Sequence, residues 1–241
     1  MAALRFVGIV AWSGVCSLLG VLVAFLSSEW PLDVARKLWA PLVLRIAGIR
    51  VERRGRSDFE IQPPCVFVVN HQSMLDIPVV LSQVPVNLRF VSKHVLAWVP
   101  LLNLYMWRTR MIFVNRSDPA RAYASLDRGA ERIRDGVSVV VFAEGTRSRD
   151  GHLRPLKRGA FRLARTAGVP VVPLAVDGTR DVLRPGSVRI RPGTVRFAVG
   201  DPIPSAALPP GDPGIEHLRH EAFARLNALH EGLASPRSGG Y

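Results

Sequence analysis

Short apolar, β-branched runs alternate with helix-length segments through most of this chain, which predicts an α/β domain with a mixed, largely buried sheet flanked by helices. Two further observations frame that domain. The runs end in polar residues, where α/β sheets place their chemistry. An uncharged N-terminal stretch of membrane length precedes them. With 241 residues the chain holds one domain and appendages. The expected division is a membrane-embedded helical segment at 1–49, a catalytic domain at 50–200, and a linker, helix and disordered tail at 201–241.

Phe6 to Leu26 is a run of 21 residues without a charge. It is long enough to span a bilayer and too long for a signal-peptide core. Gly20 and Ala24, and Ser13 and Ser17, sit four apart, a spacing suited to close helix packing in lipid. Trp30-Pro31 ends the run. In Leu32 to Ile49, Trp39, Leu42, Val43 and Ile46 share one helical face, and an interfacial helix is expected. Seven cations follow between Arg36 and Arg56, against Arg5 alone on the other side. That bias places the rest of the chain in the cytoplasm, at the inner membrane.

Val66 to Val69 reads as a buried strand, and Asn70-His71-Gln72-Ser73 breaks it before a second apolar segment that carries Asp76. Leu88 to Val91 predicts a strand ending at Lys93. Trp98 to Trp107 predicts a helix, and Met111 to Val114 a strand ending at Asn115-Arg116. Ser117-Asp118-Pro119 starts a helix that runs to Asp135-Gly136. Val137 to Phe142 is another strand, ending at Ala143-Glu144-Gly145-Thr146-Arg147-Ser148. Leu156 to Ala167 is helical and Val171 to Val176 is a buried strand. Ser187 to Ile190 and Thr194 to Val199 flank Arg191-Pro192-Gly193 and predict a hairpin. A Pro-rich link from Pro202 to Pro213 leads to a helix from Gly214 to Ala234, and the tail after Ser235 is expected to be disordered.

The formal charge is +13, and among the basic residues only Lys37, Lys93 and Lys157 are lysine. Such a charge suits an anionic partner. No nucleic-acid motif or ladder of stacking aromatics accompanies it, so lipid or phosphorylated substrate fits better than nucleic acid. Cys16 and Cys65 lie in apolar runs and suggest neither a disulfide framework nor a metal site.

His71 and Asp76 admit two readings. Five residues apart on one helix they would lie about 140° from each other. They meet only if His71 occupies the turn and Asp76 the first helical turn, where the acid could orient the imidazole as a base. Alternatively Ser73-x-x-Asp76 is a capping box that only closes the helix end. The neighbouring strand ends decide between them. Lys93, Arg116 and Glu144-Gly145-Thr146-Arg147 supply a glycine for close backbone approach and a planar guanidinium suited to phosphate. Together they describe a base beside an anion clamp.

At these residues the chain resembles the glycerolipid acyltransferases. The H-x4-D block is met by His71 and Asp76, and an Ile-Phe-x-x-Arg block by Ile112 to Arg116. Phe142 to Ser148 matches a Phe-Pro-Glu-Gly-Thr-Arg-Ser block, with Ala143 in place of Pro, and Lys157-Arg158-Gly159 follows. A Val-Pro-x-x-Pro element appears at Val169 to Pro173. Glycines usual in the second block are missing, with Asn103 and Arg110 in their places. The resemblance covers roughly residues 50 to 200. It implies a glycerol-3-phosphate acyltransferase-like fold and an acyltransferase that moves a fatty acyl group from acyl-CoA or acyl carrier protein to lysophosphatidate, without a cofactor. His71 would be the base and Asp76 its orienting acid, with Lys93, Arg116, Glu144, Gly145, Thr146 and Arg147 at the substrate. Another lysolipid acceptor, such as a lyso-ornithine lipid, stays open. So does a membrane thioesterase or lipase that uses His71 to activate water.

Overall fold

The computed structural model describes residues 2–55, 62–93, 95, 98–99, 102–114, 118–209 and 211–233. Seven strands form one sheet: β1 (Ile49–Gly55), β2 (Val66–Val69), β3 (Leu88–Lys93), β4 (Ile112–Val114), β5 (Ser138–Phe142), β6 (Val171–Asp177) and β7 (Gly193–Val199). They lie in the order β1-β7-β6-β2-β5-β3-β4. Every pair is parallel except β6 with β7, so the sheet is mixed as the sequence predicts. The central strands are apolar along their whole length because both faces are covered. In β2 the alternation is complete: Val66 and Val68 join the core on one face, and Phe67 and Val69 the core on the other.

The first face is covered by α6 (Pro119–Arg134), α7 (Gly159–Ala167) and α9 (Asp212–Leu233), through Ile133, Phe161, Leu218 and Leu226. Asp118 starts α6 as expected, its Oδ1 accepting from Arg121 N at 3.1 Å. The opposite face is covered by α3 (Ala40–Ala47) and α4 (Asp76–Gln83). This corrects the expectation of an interfacial helix over Leu32 to Ile49. Ala40, Val43, Leu44 and Ala47 are buried against Phe67, Val79 and Leu174, so the apolar face of that segment packs on protein. The segment is also broken into α2 (Trp30–Asp33), a π-helical stretch (Val34–Trp39) and α3.

Two further differences have simple causes. The arginines of Ile49–Gly55 hide a strand, β1, that pairs in parallel with β7. With β1 on one side of β7 and β6 on the other, no edge remains for Ser187 to Ile190, and the predicted hairpin does not form. The tail after Ser235 lies outside the described residues.

Helix α1 (Ala2–Val23) is long and apolar enough to cross a membrane. Its small residues, however, meet this chain itself. Ser13 Oγ accepts from Trp39 Nε1 at 2.9 Å, and a Cβ on Gly20 would sit 2.8 Å from the ring of Tyr105 in α5 (Leu102–Arg108). Beyond its C-terminus, Arg108 donates to Ala24 O at 2.5 Å. The helix therefore lies along the domain, while Leu4, Val7, Val10, Val15, Leu18 and Leu22 face outward. The loop after it is fixed by Glu29, whose Oε1 accepts from buried Arg89 of β3 at 2.5 Å.

Removing Glu29 would leave a buried guanidinium without its ion partner. Glu29→Ala is expected to destabilise the protein by about 2–3 kcal/mol. Arg89→Met, which removes the charge along with its need for a partner, is expected to cost less. Thermal unfolding of the two variants in detergent checks the order.

Candidate active site

Parallel pairing of β3, β5 and β2 brings their carboxyl ends to one edge of the sheet, and the polar segments seen in the sequence converge there. Asn70 leaves β2 and bonds the neighbouring β6 with both ends of its amide. Its Nδ2 donates to Val176 O and its Oδ1 accepts from Val176 N, each at 2.8 Å. The turn 71–75 then returns the chain into α4, whose first residue is Asp76.

Asp76 is fully buried and its carboxylate is saturated. Oδ2 accepts from His71 Nδ1 at 2.7 Å, Gln72 N at 2.7 Å and Ser73 N at 2.9 Å. Oδ1 accepts a short bond from Thr179 Oγ1, on α8 (Thr179–Val182). The two readings of this acid turn out to be one. It ties down the backbone of the turn and orients the histidine with the same oxygen. The capping box itself does not form, because Ser73 Oγ donates instead to Leu183 O at 2.8 Å.

A carboxylate can only accept, so the bond to Asp76 puts a proton on His71 Nδ1, and in the neutral imidazole Nε2 then carries the lone pair. The imidazole retains 17% exposure and stacks on Phe142, ring centroids 4.1 Å apart. Its position is fixed, and one edge of the ring remains open to a substrate.

Glu144, expected at the substrate, bonds to the backbone of the site. It is buried, Oε1 accepts from His71 N at 2.6 Å, and Oε2 accepts from Arg154 N at 3.0 Å. Both oxygens are occupied by backbone, so the residue helps to hold the 71–75 turn. Burial pushes its carboxyl up to about 7, aided by the charge of Asp76 and opposed by the two N–H bonds. Gly145 turns the chain at φ 77°, in the left-handed region, and its N–H donates to Phe142 O at 3.0 Å. Beyond it Thr146 is exposed. Arg147 is half-buried, and among the described residues no side chain or carbonyl engages its guanidinium. Ser148 N donates to His71 O at 2.7 Å, closing the loop onto the turn. Lys93 ends β3 opposite Val114 of β4, at this same edge. Arg116 lies outside the described residues.

The sequence missed Thr179 and Phe142 as parts of the site. Thr179 lies 103 residues from Asp76, and nothing in its local pattern marks it. Phe142 opens the Phe142 to Ser148 block, but nothing in that block marks its ring as the one on which His71 stacks. Among the described residues no cluster of His, Cys, Asp or Glu could hold a metal ion.

Comparison with known proteins now adds to the geometry. The family model described as Acyltransferase matches residues 50–177, which contain every residue of the turn and of the Glu144 loop. The chain belongs to the Acyltransferase family. Within this family it is 34% identical over 196 residues to 1-acyl-sn-glycerol-3-phosphate acyltransferase alpha of Ovis aries, covering 80% of this chain and 67% of that one. It is 41% identical over 169 residues to the chloroplastic 1-acyl-sn-glycerol-3-phosphate acyltransferase BAT2 of Brassica napus, which covers 69% of this chain. The chain spans about half (48%) of that relative's length. The crystal structure of the 1-acyl-sn-glycerophosphate acyltransferase PlsC from Thermotoga maritima superposes with a TM-score of 0.80 at 25% identity. That match covers 99% of this chain and 97% of the other, α1 and α9 included.

The raised pKa of Glu144 has a measurable consequence. Below an unfolded value near 4.5 the acid is protonated in both states. Between 4.5 and about 7 the native state keeps a proton that the unfolded chain has released. Stability tied to this group is therefore fully present below pH 4.5 and lost as pH rises to about 7. Glu144→Gln is expected to lower stability at all pH values, since its amide cannot accept both backbone bonds. It should also flatten the fall in melting temperature between about pH 5 and 7, as followed by circular dichroism.

Proposed function

We propose that the protein transfers a fatty acyl group from a thioester to the free hydroxyl of 1-acyl-glycerol-3-phosphate, giving phosphatidic acid. The donor is acyl-CoA or acyl carrier protein. The observation that carries this reading is the His71–Asp76 pair, with Nδ1 held at 2.7 Å and, among the described residues, no free side-chain nucleophile bonded to it. The nearby serines are engaged: Ser73 with Leu183 O, and Ser148 with Asp150 Oδ1 at 2.7 Å. The acceptor's own hydroxyl then stands where a catalytic serine would.

In this scheme Nε2 of His71 removes the hydroxyl proton as the oxygen attacks the thioester carbonyl. The tetrahedral intermediate collapses, the C–S bond breaks, and the imidazolium returns the proton to the thiolate. Asp76 stabilises that imidazolium and keeps the tautomer, as the acid does in a serine-protease triad. Arg147, unpaired among the described residues, is proposed to bind the acceptor phosphate together with Lys93 and Arg116. The names of the relatives support the acceptor. The two substrates and the dyad suffice for the scheme.

Helix α1 suits a protein that meets lipid. A helix packed on its own domain from Ser13 to Ala24 cannot cross the bilayer along its normal without drawing the domain in. It is therefore proposed to lie embedded in one leaflet, with its outward leucines and valines in the acyl chains. The basic stretch from Arg36 to Arg56 supports the cytoplasmic face of the inner membrane.

The test is a lipid assay of the purified full chain with lysophosphatidate and each thioester donor. Phosphatidate should form, and His71→Ala should abolish it while the protein stays folded. Arg147→Ala should raise KM for lysophosphatidate far more than for the thioester, by roughly tenfold to a hundredfold, the loss of about 1.5–3 kcal/mol. Release of free fatty acid in place of acylated lipid would convert the reading to a thioesterase. Acylation of a lyso-ornithine lipid alone would move the acceptor.

A further inference from the structure

Helix α9 lies beyond the matched region 50–177, yet it reaches the back of the catalytic turn. His230 on this helix is 6% exposed, and its Nε2 sits 2.8 Å from Gln72 Nε2. The same amide nitrogen donates to Gly151 O at 3.2 Å. That second contact fixes which end of the amide is nitrogen, because the opposite assignment would set its oxygen against a carbonyl oxygen. Gln72 therefore presents an N–H to each neighbour. His230 accepts through Nε2 and carries its proton on Nδ1. Asp177 Oδ1 is 3.8 Å from the same nitrogen, beyond hydrogen-bond distance, while Arg196 faces the other oxygen of Asp177 at 3.8 Å.

The residue held in this way is central to the turn. The backbone N–H of Gln72 donates to Asp76 Oδ2, the oxygen that orients His71. On either side, Ser73 N donates to that oxygen, and the His71 peptide is held by Glu144 and Ser148. The Gln72 side chain, itself buried, is anchored by Gly151 and His230. Loss of either anchor lets peptide 71–72 shift, and with it the direction of the His71 ring.

We infer that His230 is a positioning residue for the reaction: through Gln72 it holds the peptide that converges with the His71 ring on Asp76. The inference rests on the acyl-transfer reading above. It gives α9, an element outside the matched region, a part in catalysis without contact to the substrate.

His230→Leu, in the purified full chain, removes the acceptor and leaves a buried N–H unmet. A misplacement on the scale of an ångström costs on the order of a hundredfold in rate, so kcat is expected to fall roughly ten- to a hundredfold, with KM for lysophosphatidate and thioester little changed. His230→Gln, whose side-chain oxygen can accept the same bond, should restore most of kcat. Gln72→Met should lower kcat to a similar degree, and His230→Leu added to it should cost little more. If His230→Leu does not fold, Gln72→Met and His230→Gln carry the test alone. Full kcat in His230→Leu or in Gln72→Met overturns the inference. So does a loss in His230→Gln as large as in His230→Leu. A wild-type protein that acylates no lysolipid defeats the functional reading instead, and the two failures are distinct.

Discussion

A carboxylate with no exposed surface, surrounded by four donors, is the constraint on which the rest of the site depends. Burial of an ionised acid is costly unless each lone pair finds a hydrogen. Asp76, the first residue of α4, meets that demand from two places in the chain: the turn after β2 and Thr179 beyond β6. The fold cannot satisfy this acid without also bringing His71 to it. Catalytic geometry and folding are therefore coupled at one atom, Oδ2. Hydrogen bonds to charged groups contribute roughly 1.5–3 kcal/mol each when buried, so the turn is among the more strongly specified parts of the molecule.

The second acid of the site is held by fewer bonds. Glu144 has two donors where Asp76 has four, and the charge of Asp76 acts on it unfavourably. Burial is the main reason that its carboxyl rises to about 7, and the Asp76 charge adds to it. Both acids serve the backbone of one turn, from opposite sides. His71 is thus clamped by its ring, its N–H and its carbonyl, through Asp76, Glu144 and Ser148. A base fixed at three points loses little freedom when a substrate arrives, and this is what preorganisation requires.

The sequence carried the central strands and the dyad clearly, because continuous valine runs and a turn rich in polar side chains are local signals. Val66 to Val69 and Val171 to Val176 are buried on both faces, and their composition says so directly. Where a signal had to be read against charge, it failed: Ile49–Gly55 alternates as an edge strand should, but four of its residues are charged. The backbone bonds of Glu144 were not legible, since nothing local tells whether an acid at a strand end faces substrate or backbone. Thr179, Gln72 and His230 act through contacts 103 to 158 residues apart in the chain, and only the closed sheet creates those contacts. The segment before β1 erred in the opposite direction: its amphipathic face was legible, but not whether lipid or protein would cover it.

The path of α1 along the domain bears on kinetics. On the single-leaflet reading, enzyme, acceptor and product share one two-dimensional phase, and the acceptor enters sideways from the lipid it already occupies. Its effective concentration is then a mole fraction in the surface, set by how much other lipid dilutes it. Adding inert phospholipid at constant bulk acceptor would slow such an enzyme, whereas adding water would not.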